Sequence, residues 1–353
     1  MKSNVLLSNV ERLKLLKTIR LGLKSDNDLD KYIEMFWDDE VSECKRRLNG
    51  YYLEDEFALM CFLMECCISL VSLGQSSVNN IELKVPDYLA CFTLPKGKEL
   101  KCFIEVKTSQ SIETKKISNN FLNKYSEYAA RFNYPLFLAS RIQAGNMLFW
   151  VLQSENEFRG SGRKVKVNEL VNNSGSILID DFFISIINDI HIRIKFIDED
   201  KYSGIKYEGK GYVSEVTIFW DGDRTNSLSL NDNLGLNIIL DEFSSEEEYI
   251  ERERVLIRKI SKNTMEMLST LLLKINRRIV NDDSPDDRLN ASRILARIEA
   301  GDTVFIKRSP LLNMIHALNV KSFELNGKAL LLPALLGDKI SRKRKLKELL
   351  KIS

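Results

Sequence analysis

Histidine is nearly absent from this 353-residue chain, which contains two, His191 and His316. With so few, a zinc site with histidine ligands or a histidine-based hydrolysis is hard to assemble here. The six cysteines include no C-x-x-C pair, and four of them lie in apolar strand or helix patterns. We therefore expect the cysteines to be buried, reduced residues of the core.

Long apolar runs are also missing. No segment approaches the roughly 20 apolar residues of a membrane-spanning helix. The apolar run after Met1 is too short for a secretory signal, and charges follow it at once. Together with unpaired cysteines, this predicts a cytoplasmic protein without a membrane partner. The chain also has no Walker A loop, so an ATP-driven step would require a partner.

What the chain does contain is an ordinary globular composition, with 44% hydrophobic and 29% charged residues. Its net charge of +2 is too small to argue for nucleic-acid binding by itself. The length allows two or three domains and a sizeable core. The patterns along the chain predict an N-terminal helical segment over 1–49, an α/β domain over 50–155, a β-rich domain over 156–243 and a mainly helical C-terminal domain with a basic tail over 244–353.

The most informative feature is a pair of acids and a lysine on neighbouring strand-like runs. Pro86-Asp87 lies in the apolar run 81–92, and Glu105-Val106-Lys107 lies in the run 100–109. Because side chains alternate along a strand, Glu105 and Lys107 share one face, and the opposite face is wholly apolar. Two carboxylates and a lysine at the ends of adjacent strands would suit one or two hard divalent cations and a water molecule.

Two other segments share the acid-x-lysine form but lack this context. Glu99 and Lys101 directly follow a Pro-Lys-Gly-Lys turn, and Glu82 and Lys84 precede the Pro-Asp pair. The motif segment alone combines the right order, spacing and strand character. A simple salt bridge between the acid and the lysine at a sheet edge is the alternative interpretation.

These residues resemble the motif of the PD-(D/E)xK nuclease superfamily, whose fold is shared by many restriction endonucleases and Holliday junction resolvases. The resemblance covers about residues 50–153. It implies an α/β restriction-endonuclease-like core, a mixed sheet flanked by helices, in the order helix, strand, strand, strand, helix, strand, strand. The sequence patterns also predict a long buried helix over 50–73 that ends before Gly74, an amphipathic helix over 119–132, and strands over 134–140 and 145–152.

The resemblance assigns catalytic roles to Asp87, Glu105 and Lys107. Many members of the superfamily add an acid near the start of the first helix, where Glu54 fits best. Glu54, Asp87 and Glu105 would then hold Mg²⁺, for which Mn²⁺ can substitute. Lys107 would orient or deprotonate the attacking water.

The choice of the helical acid stays open at this level. Asp55 and Glu56 are rivals of Glu54, and Glu65 lies about three turns further along a similar helix face. A partly buried acid paired with a neighbour is the more ordinary interpretation of Glu65.

Basic residues predict where a nucleic acid would bind. The tail contains Arg342, Lys343, Arg344 and Lys345, and Lys124 lies on the second predicted helix beside Asn120. Each phosphate that such side chains neutralise adds a salt-dependent increment to affinity. A solvated helix surface is the alternative interpretation of each group.

Beyond residue 155 the pattern becomes β-rich. We predict strands over 177–180, 191–197, 213–220 and 234–240, a long helix from a capping box at 245–248 to about 280, and a hairpin formed by 304–306, 322–325 and 329–332. These regions could serve base readout, dimerisation or docking of a protein partner.

The resemblance implies a magnesium-dependent endonuclease that hydrolyses DNA, most naturally duplex DNA, in bacterial antiviral defence or restriction. Two cuts in a duplex usually need two active sites, which favours a homodimer. The alternative is a catalytically silent or partner-dependent subunit that docks DNA or protein in a multi-component defence or mobile-element system. Intact Asp87, Glu105 and Lys107 favour the enzyme, and the sequence leaves the choice between DNA and RNA open.

Overall fold

Two compact units make up the protein. The first contains Met1–Asp181, Asn276–Phe305 and Leu336–Ser353, and the second contains Phe182–Ile275 and Ile306–Leu335. The computed structural model describes residues 7–23, 26–74, 83–108, 118–144, 147–160, 175–199, 206–220, 237–280, 287–302, 305–326, 329–335 and 339–352.

A five-stranded mixed sheet forms the centre of the first unit, with its strands in the order β1-β2-β3-β4-β5. They are β1 Cys67–Ser72, β2 Tyr88–Leu94, β3 Lys98–Thr108, β4 Leu136–Ala144 and β5 Met147–Ser154. Neighbouring strands are antiparallel except β3 and β4, which run parallel. A parallel pair needs a crossover connection, and helix α4, Asn119–Arg131, lies between these strands in the chain.

Helices of the first unit pack against this sheet and against one another. The remaining helices of the first unit are α1 Asn9–Gly22, α2 Asp26–Phe36, α3 Val41–Leu63, α5 Glu155–Gly160, α7 Asp287–Glu299 and α9 Lys339–Ile352. Leu16, Ile33, Leu48 and Leu289 bring α1, α2, α3 and α7 into one buried cluster. No helix in the described part of the chain has the length and apolarity of a membrane span.

The first long helix differs from the prediction. It spans Val41–Leu63 rather than 50–73, and residues Cys67–Ser72 form the edge strand β1 instead. Glu65 adopts a left-handed conformation (φ 53°) in the turn between them. An unbroken apolar run cannot by itself distinguish a buried helix from a strand, which explains the error. With β1 included, the described elements have the order α3-β1-β2-β3-α4-β4-β5.

The second unit is built from antiparallel strands. One sheet has the order β10-β11-β7-β9-β8 and a smaller one the order β12-β6-β13. The strands are β6 Phe182–Ile186, β7 Ile190–Ile197, β8 Lys206–Tyr207, β9 Gly211–Trp220, β10 Glu246–Ile250, β11 Val255–Ile260, β12 Met265–Met267 and β13 Leu331–Leu335. The chain also forms helices α6 Leu268–Ile279 and α8 Arg308–Asn326.

Strands predicted over 191–197 and 213–220 are confirmed as β7 and β9. The predicted helix from 245 to 280 is wrong before Leu268, because residues 246–267 contain three strands. Glu247 pairs in register with Arg258, and their side chains form an ion pair of 2.8 Å. This pairing between strands overrides the local capping-box signal.

Three further predictions in this half need correction. Residues 175–178 form a 3₁₀ turn just before β6, where a strand over 177–180 was predicted, and residues 237–240 of a predicted strand are helical. Residues 322–325 lie in helix α8, so the predicted hairpin is wrong. Strand β13 pairs instead with the distant β6. Sequence patterns identify short apolar runs but do not identify their distant partners.

Candidate active site

Asp87, Glu105 and Lys107 meet at one end of the central sheet of the first unit. Because β2 and β3 are antiparallel, with Tyr88 opposite Ile104, the start of β2 adjoins the end of β3. Asp87 and Glu105 are buried, with 5% and 2% of their surfaces exposed. The backbone N–H of Val106 donates a 2.7 Å hydrogen bond to the Asp87 carboxylate. The sheet register therefore holds the two acids next to each other.

Lys107 lies on β3 together with Glu105, and its side chain is next to this acid. Its Nζ forms an ion pair with Oε1 of Glu105 and lies 5.7 Å from the centre of the Tyr125 ring. Burial alone would lower the pKa of Lys107, but the charges of Glu105 and Asp87 outweigh it and raise the pKa. Lys107 is therefore a stable cation, partly exposed beside a buried acid.

Glu54 on α3 belongs to the same electrostatic group. Burial first, and then the charge of Glu105, raises its pKa to about 7. Burial likewise raises the pKa of Asp87, with further contributions from Glu105 and Glu54. Close carboxylates in a buried place resist simultaneous ionisation, which is the usual electrostatic signature of a functional site.

The other acids of α3 have different partners. Asp55 forms an ion pair with Lys17 at 2.6 Å, and Glu56 forms one with Arg141 at 2.8 Å. The exposed Glu65 lies in the turn after the helix. Among the acids that the sequence left open, Glu54 is thus the one whose charge acts on Asp87 and Glu105.

Tyr125 is a site residue that the sequence reasoning missed. Its position on the apolar face of α4 suggested a core residue, and it does pack in a cluster with Phe103. Burial, followed by the charge of Glu105 and a hydrogen bond to it, raises the pKa of the Tyr125 hydroxyl. The available signal was that α4 covers the sheet face that carries Phe103, Glu105 and Lys107.

One oxygen of Glu105, Oε2, is buried without a hydrogen-bond partner among the described residues, as expected of a metal ligand. A cation would satisfy this oxygen and offset the mutual repulsion of Glu54, Asp87 and Glu105.

The spacing of these carboxylates also bears on the kind of ion. Among the described residues, no three Asp or Glu side chains have ligand oxygens all within 4.8 Å of one another. Mg²⁺ generally uses one or two carboxylates and keeps several of its waters, so it does not need such close packing. The residues present therefore fit a hydrated hard cation.

A pocket of about 860 Å³ opens beside Glu54. Residues of α1, α3, β1 and α7 line it, including Lys14 and Lys17 on α1 and Tyr51 on α3. The pocket thus combines cationic and aromatic side chains next to one of the site acids. Its volume is suitable for a small-molecule-sized group.

The basic residues that the sequence predicted to contact nucleic acid differ in their exposure and in their ion pairs. Arg342 forms an ion pair with Asp180 at 2.8 Å, and the buried Lys345 pairs with Glu157. Their neighbours on α9, Lys343 and Arg344, have exposed side chains, as does Asn120 on α4, whereas Lys124 is half-buried. Arg342 and Lys345 of the basic tail thus form ion pairs with acids of the first unit.

Comparisons of the chain with protein-family models, curated proteins and solved structures gave no match.

Proposed function

We propose that this protein is a metal-dependent endonuclease of the PD-(D/E)xK type that hydrolyses phosphodiester bonds in DNA. The observation that carries the proposal is the group formed by buried Asp87 and Glu105, the cation Lys107 beside them, and Glu54 coupled to both acids. The mixed sheet supports it, because the elements α3-β1-β2-β3-α4-β4-β5 follow the order that the resemblance implies.

Each residue of this group would have its own role in hydrolysis. Asp87 and Glu105 would hold a hydrated Mg²⁺, with Glu54 bound to it directly or through one of its waters, and the ion would stabilise charge on the phosphoryl oxygens and lower the pKa of a water molecule. Lys107 would place a preorganised positive charge beside the reacting phosphate. Val106 would keep Asp87 in position through its backbone N–H.

Some side chains around the group support a polyanionic substrate. Lys14 borders the pocket next to Glu54, and Tyr51 offers an aromatic surface for a base. Lys17, in contrast, is paired with Asp55. Lys343 and Arg344 add exposed positive charge on α9. A nucleic acid has the charge and the stacking surface that these side chains recognise.

We further propose a role in bacterial defence or restriction in the cytoplasm, on the strength of the resemblance. Cleavage of a duplex in both strands would then use two copies of the chain. The second unit is available for base readout or for a protein partner.

A cleavage assay with the purified full-length protein tests the proposal. The substrates are supercoiled, linear, single-stranded and branched DNA and an RNA of matched sequence, each with Mg²⁺, Mn²⁺ or EDTA. We expect metal-dependent cutting of DNA that falls by roughly 10²–10³-fold in Lys107→Ala, the usual effect of losing one preorganised donor. Lys101→Ala is the matched control, because Lys101 is an exposed lysine of the same strand.

The assay separates the alternatives. Cutting that survives Lys107→Ala, or that needs no metal, would refute the assigned site. Cutting of RNA but not DNA would change the substrate class. DNA binding without cutting on every substrate would support the partner-dependent subunit instead.

A further inference from the structure

Three cysteines lie together at the junction of α3 and β1 in the first unit. The sulfur atoms of Cys61, Cys66 and Cys67 all lie within 4.8 Å of one another, and no other such group of metal ligands occurs among the described residues. The sequence patterns suggested separate core cysteines, because the spacing C-x₄-C-C matches no common metal-binding motif. The fold thus brings together three thiols whose proximity the sequence does not predict.

The local backbone is shaped to bring these thiols together. Cys61 lies in the last turn of α3, and Cys67 is the first residue of β1. Between them Glu65 adopts a left-handed conformation (φ 53°), which L-residues other than glycine rarely do. The turn brings Cys66 back toward the helix, where its thiol donates a 3.7 Å hydrogen bond to the carbonyl oxygen of Cys61. This turn therefore places Cys66 and Cys67 beside the end of α3.

We propose that Cys61, Cys66 and Cys67 together bind one thiophilic metal ion of the Zn²⁺ class. Three sulfurs that each lie about 2.3 Å from a shared ion are roughly 3.8–4.0 Å apart, which is compatible with the observed cluster. The same close spacing favours a single ion over a polynuclear cluster. Three protein ligands would leave a fourth position for water.

An ion from solution has a route to this cluster. Cys61 and Cys67 line the pocket that also contains Glu54, so two of the three thiols border an open space. Without metal, burial raises the pKa of Cys61, and the neighbouring thiols raise it further. Because a metal ion binds the thiolate form, binding should release protons from these thiols.

The proposed site also has a structural consequence. Cys61 lies seven residues after Glu54 on α3, which is about two turns and roughly 10 Å along the same helix face. An ion held by Cys61, Cys66 and Cys67 would fasten the end of α3 to the start of β1. The inference is independent of nuclease activity, since it rests on the thiols alone.

Cadmium titration of the reduced, metal-free, full-length protein tests the inference. We expect thiolate-to-cadmium charge-transfer absorbance that saturates at one ion per chain, releases protons and persists in excess Mg²⁺. Zn²⁺ in large excess should compete with cadmium for the site, because the softer cadmium binds thiolates more tightly. Cys66→Ser and Cys67→Ser should each weaken binding at least about tenfold, because even the loss of a residue that only supports a ligand has an effect of this size.

Two kinds of control make the result specific. Cys44→Ser and Cys91→Ser alter cysteines outside the cluster, and Asp87→Asn alters the carboxylate group, so none of them should change the cadmium absorbance. Alkylation of the wild-type protein, read by mass spectrometry, should show that cadmium protects Cys67, the partly exposed cysteine of the cluster, which requires no variant to fold. Absence of protection, absorbance that survives in folded Cys66→Ser and Cys67→Ser, or a disulfide within the cluster under the reducing conditions would overturn the proposal.

Discussion

The carboxylate of Asp87 accepts a 2.7 Å hydrogen bond from the backbone N–H of Val106, the residue between Glu105 and Lys107. The acid that precedes β2 is therefore attached to the strand that carries the rest of the motif. A backbone donor fixes the acid more firmly than a flexible side chain could. The relative positions of the three motif residues thus depend mainly on the register between β2 and β3.

Replacement of Asp87 with asparagine should separate its charge from its structural role. The amide oxygen of the introduced side chain can still accept the hydrogen bond from Val106, so the fold should be retained. The lost negative charge should weaken Mn²⁺ binding by about tenfold or more, as judged from the effects of changes around metal sites. Electron paramagnetic resonance of free Mn²⁺ measures the affinity, and urea denaturation measures the stability.

Asp189→Asn is the matched control for this variant. Asp189 is an acid of the second unit that likewise accepts a hydrogen bond from a backbone N–H, that of Lys262, at 2.8 Å. Its replacement should leave Mn²⁺ affinity unchanged. Equal Mn²⁺ affinity of Asp87→Asn and wild type would remove Asp87 from the metal site.

The raised pKa of Glu54 predicts a pH dependence of stability in the metal-free protein. A carboxyl group whose pKa is raised by folding, here from 4.5 to about 7, stabilises the fold below its unfolded pKa. That contribution is lost as the pH rises through about 7. The free energy of unfolding in EDTA should therefore fall between about pH 5 and pH 8, by up to roughly 3 kcal/mol from this group.

Urea denaturation across this pH range measures the effect. Glu54→Gln should make the pH dependence clearly shallower, while Asp87, whose pKa is also raised, keeps part of it. Glu127→Gln, which alters an exposed acid of α4, should retain the wild-type slope. A slope that is the same in Glu54→Gln and wild type would contradict a raised pKa at this position.

Much of the first unit could be predicted from local sequence. The amphipathic spacing of residues 119–132 predicted α4 to within one residue, and the alternation around Glu105 identified β3. Both signals reflect short-range periodicity, which a strand or helix with one buried face imposes on its sequence. The motif residues themselves lie on such elements, which is why they could be singled out.

The parts that were not predicted depend on distant contacts. Strand β1 was assigned to the preceding helix, because only its pairing with β2 distinguishes it from a helical apolar run. The sequence favoured Glu54 but left Asp55 and Glu56 as rivals, because their ion pairs with Lys17 and Arg141 depend on distant contacts. The role of Tyr125 likewise required knowing which sheet face α4 covers.

The basic tail gives a prediction about salt dependence. Lys343 and Arg344 are exposed on α9, whereas Arg342 and Lys345 pair with acids of the first unit. If the exposed pair contacts two phosphates, replacing both with alanine should reduce the salt-dependence slope of duplex DNA binding by roughly two. Fluorescence anisotropy at several salt concentrations measures this slope.

Lys96→Ala with Lys98→Ala is the control for that double variant. It removes the same charge at the hairpin end of β2 and β3, away from the candidate site. Its slope should equal that of the wild type. Equal slopes for the tail variant and wild type would show that α9 does not contact the duplex.

The ion pair between Glu56 and Arg141 predicts a stability effect that differs from the effects at the candidate site. Glu56→Gln leaves the guanidinium of Arg141, whose side chain is 18% exposed, without its counter-charge in a mostly buried place. Because breaking a buried pair leaves an uncompensated charge, the free energy of unfolding should fall by roughly 3 kcal/mol. Adding Arg141→Met should restore much of the loss, since no unpaired charge then remains.

Urea denaturation measures these changes, and the folded single variant Glu56→Gln should keep wild-type Mn²⁺ affinity. Normal stability with lost Mn²⁺ binding would instead make Glu56, and not Glu54, the acid that α3 contributes to the site.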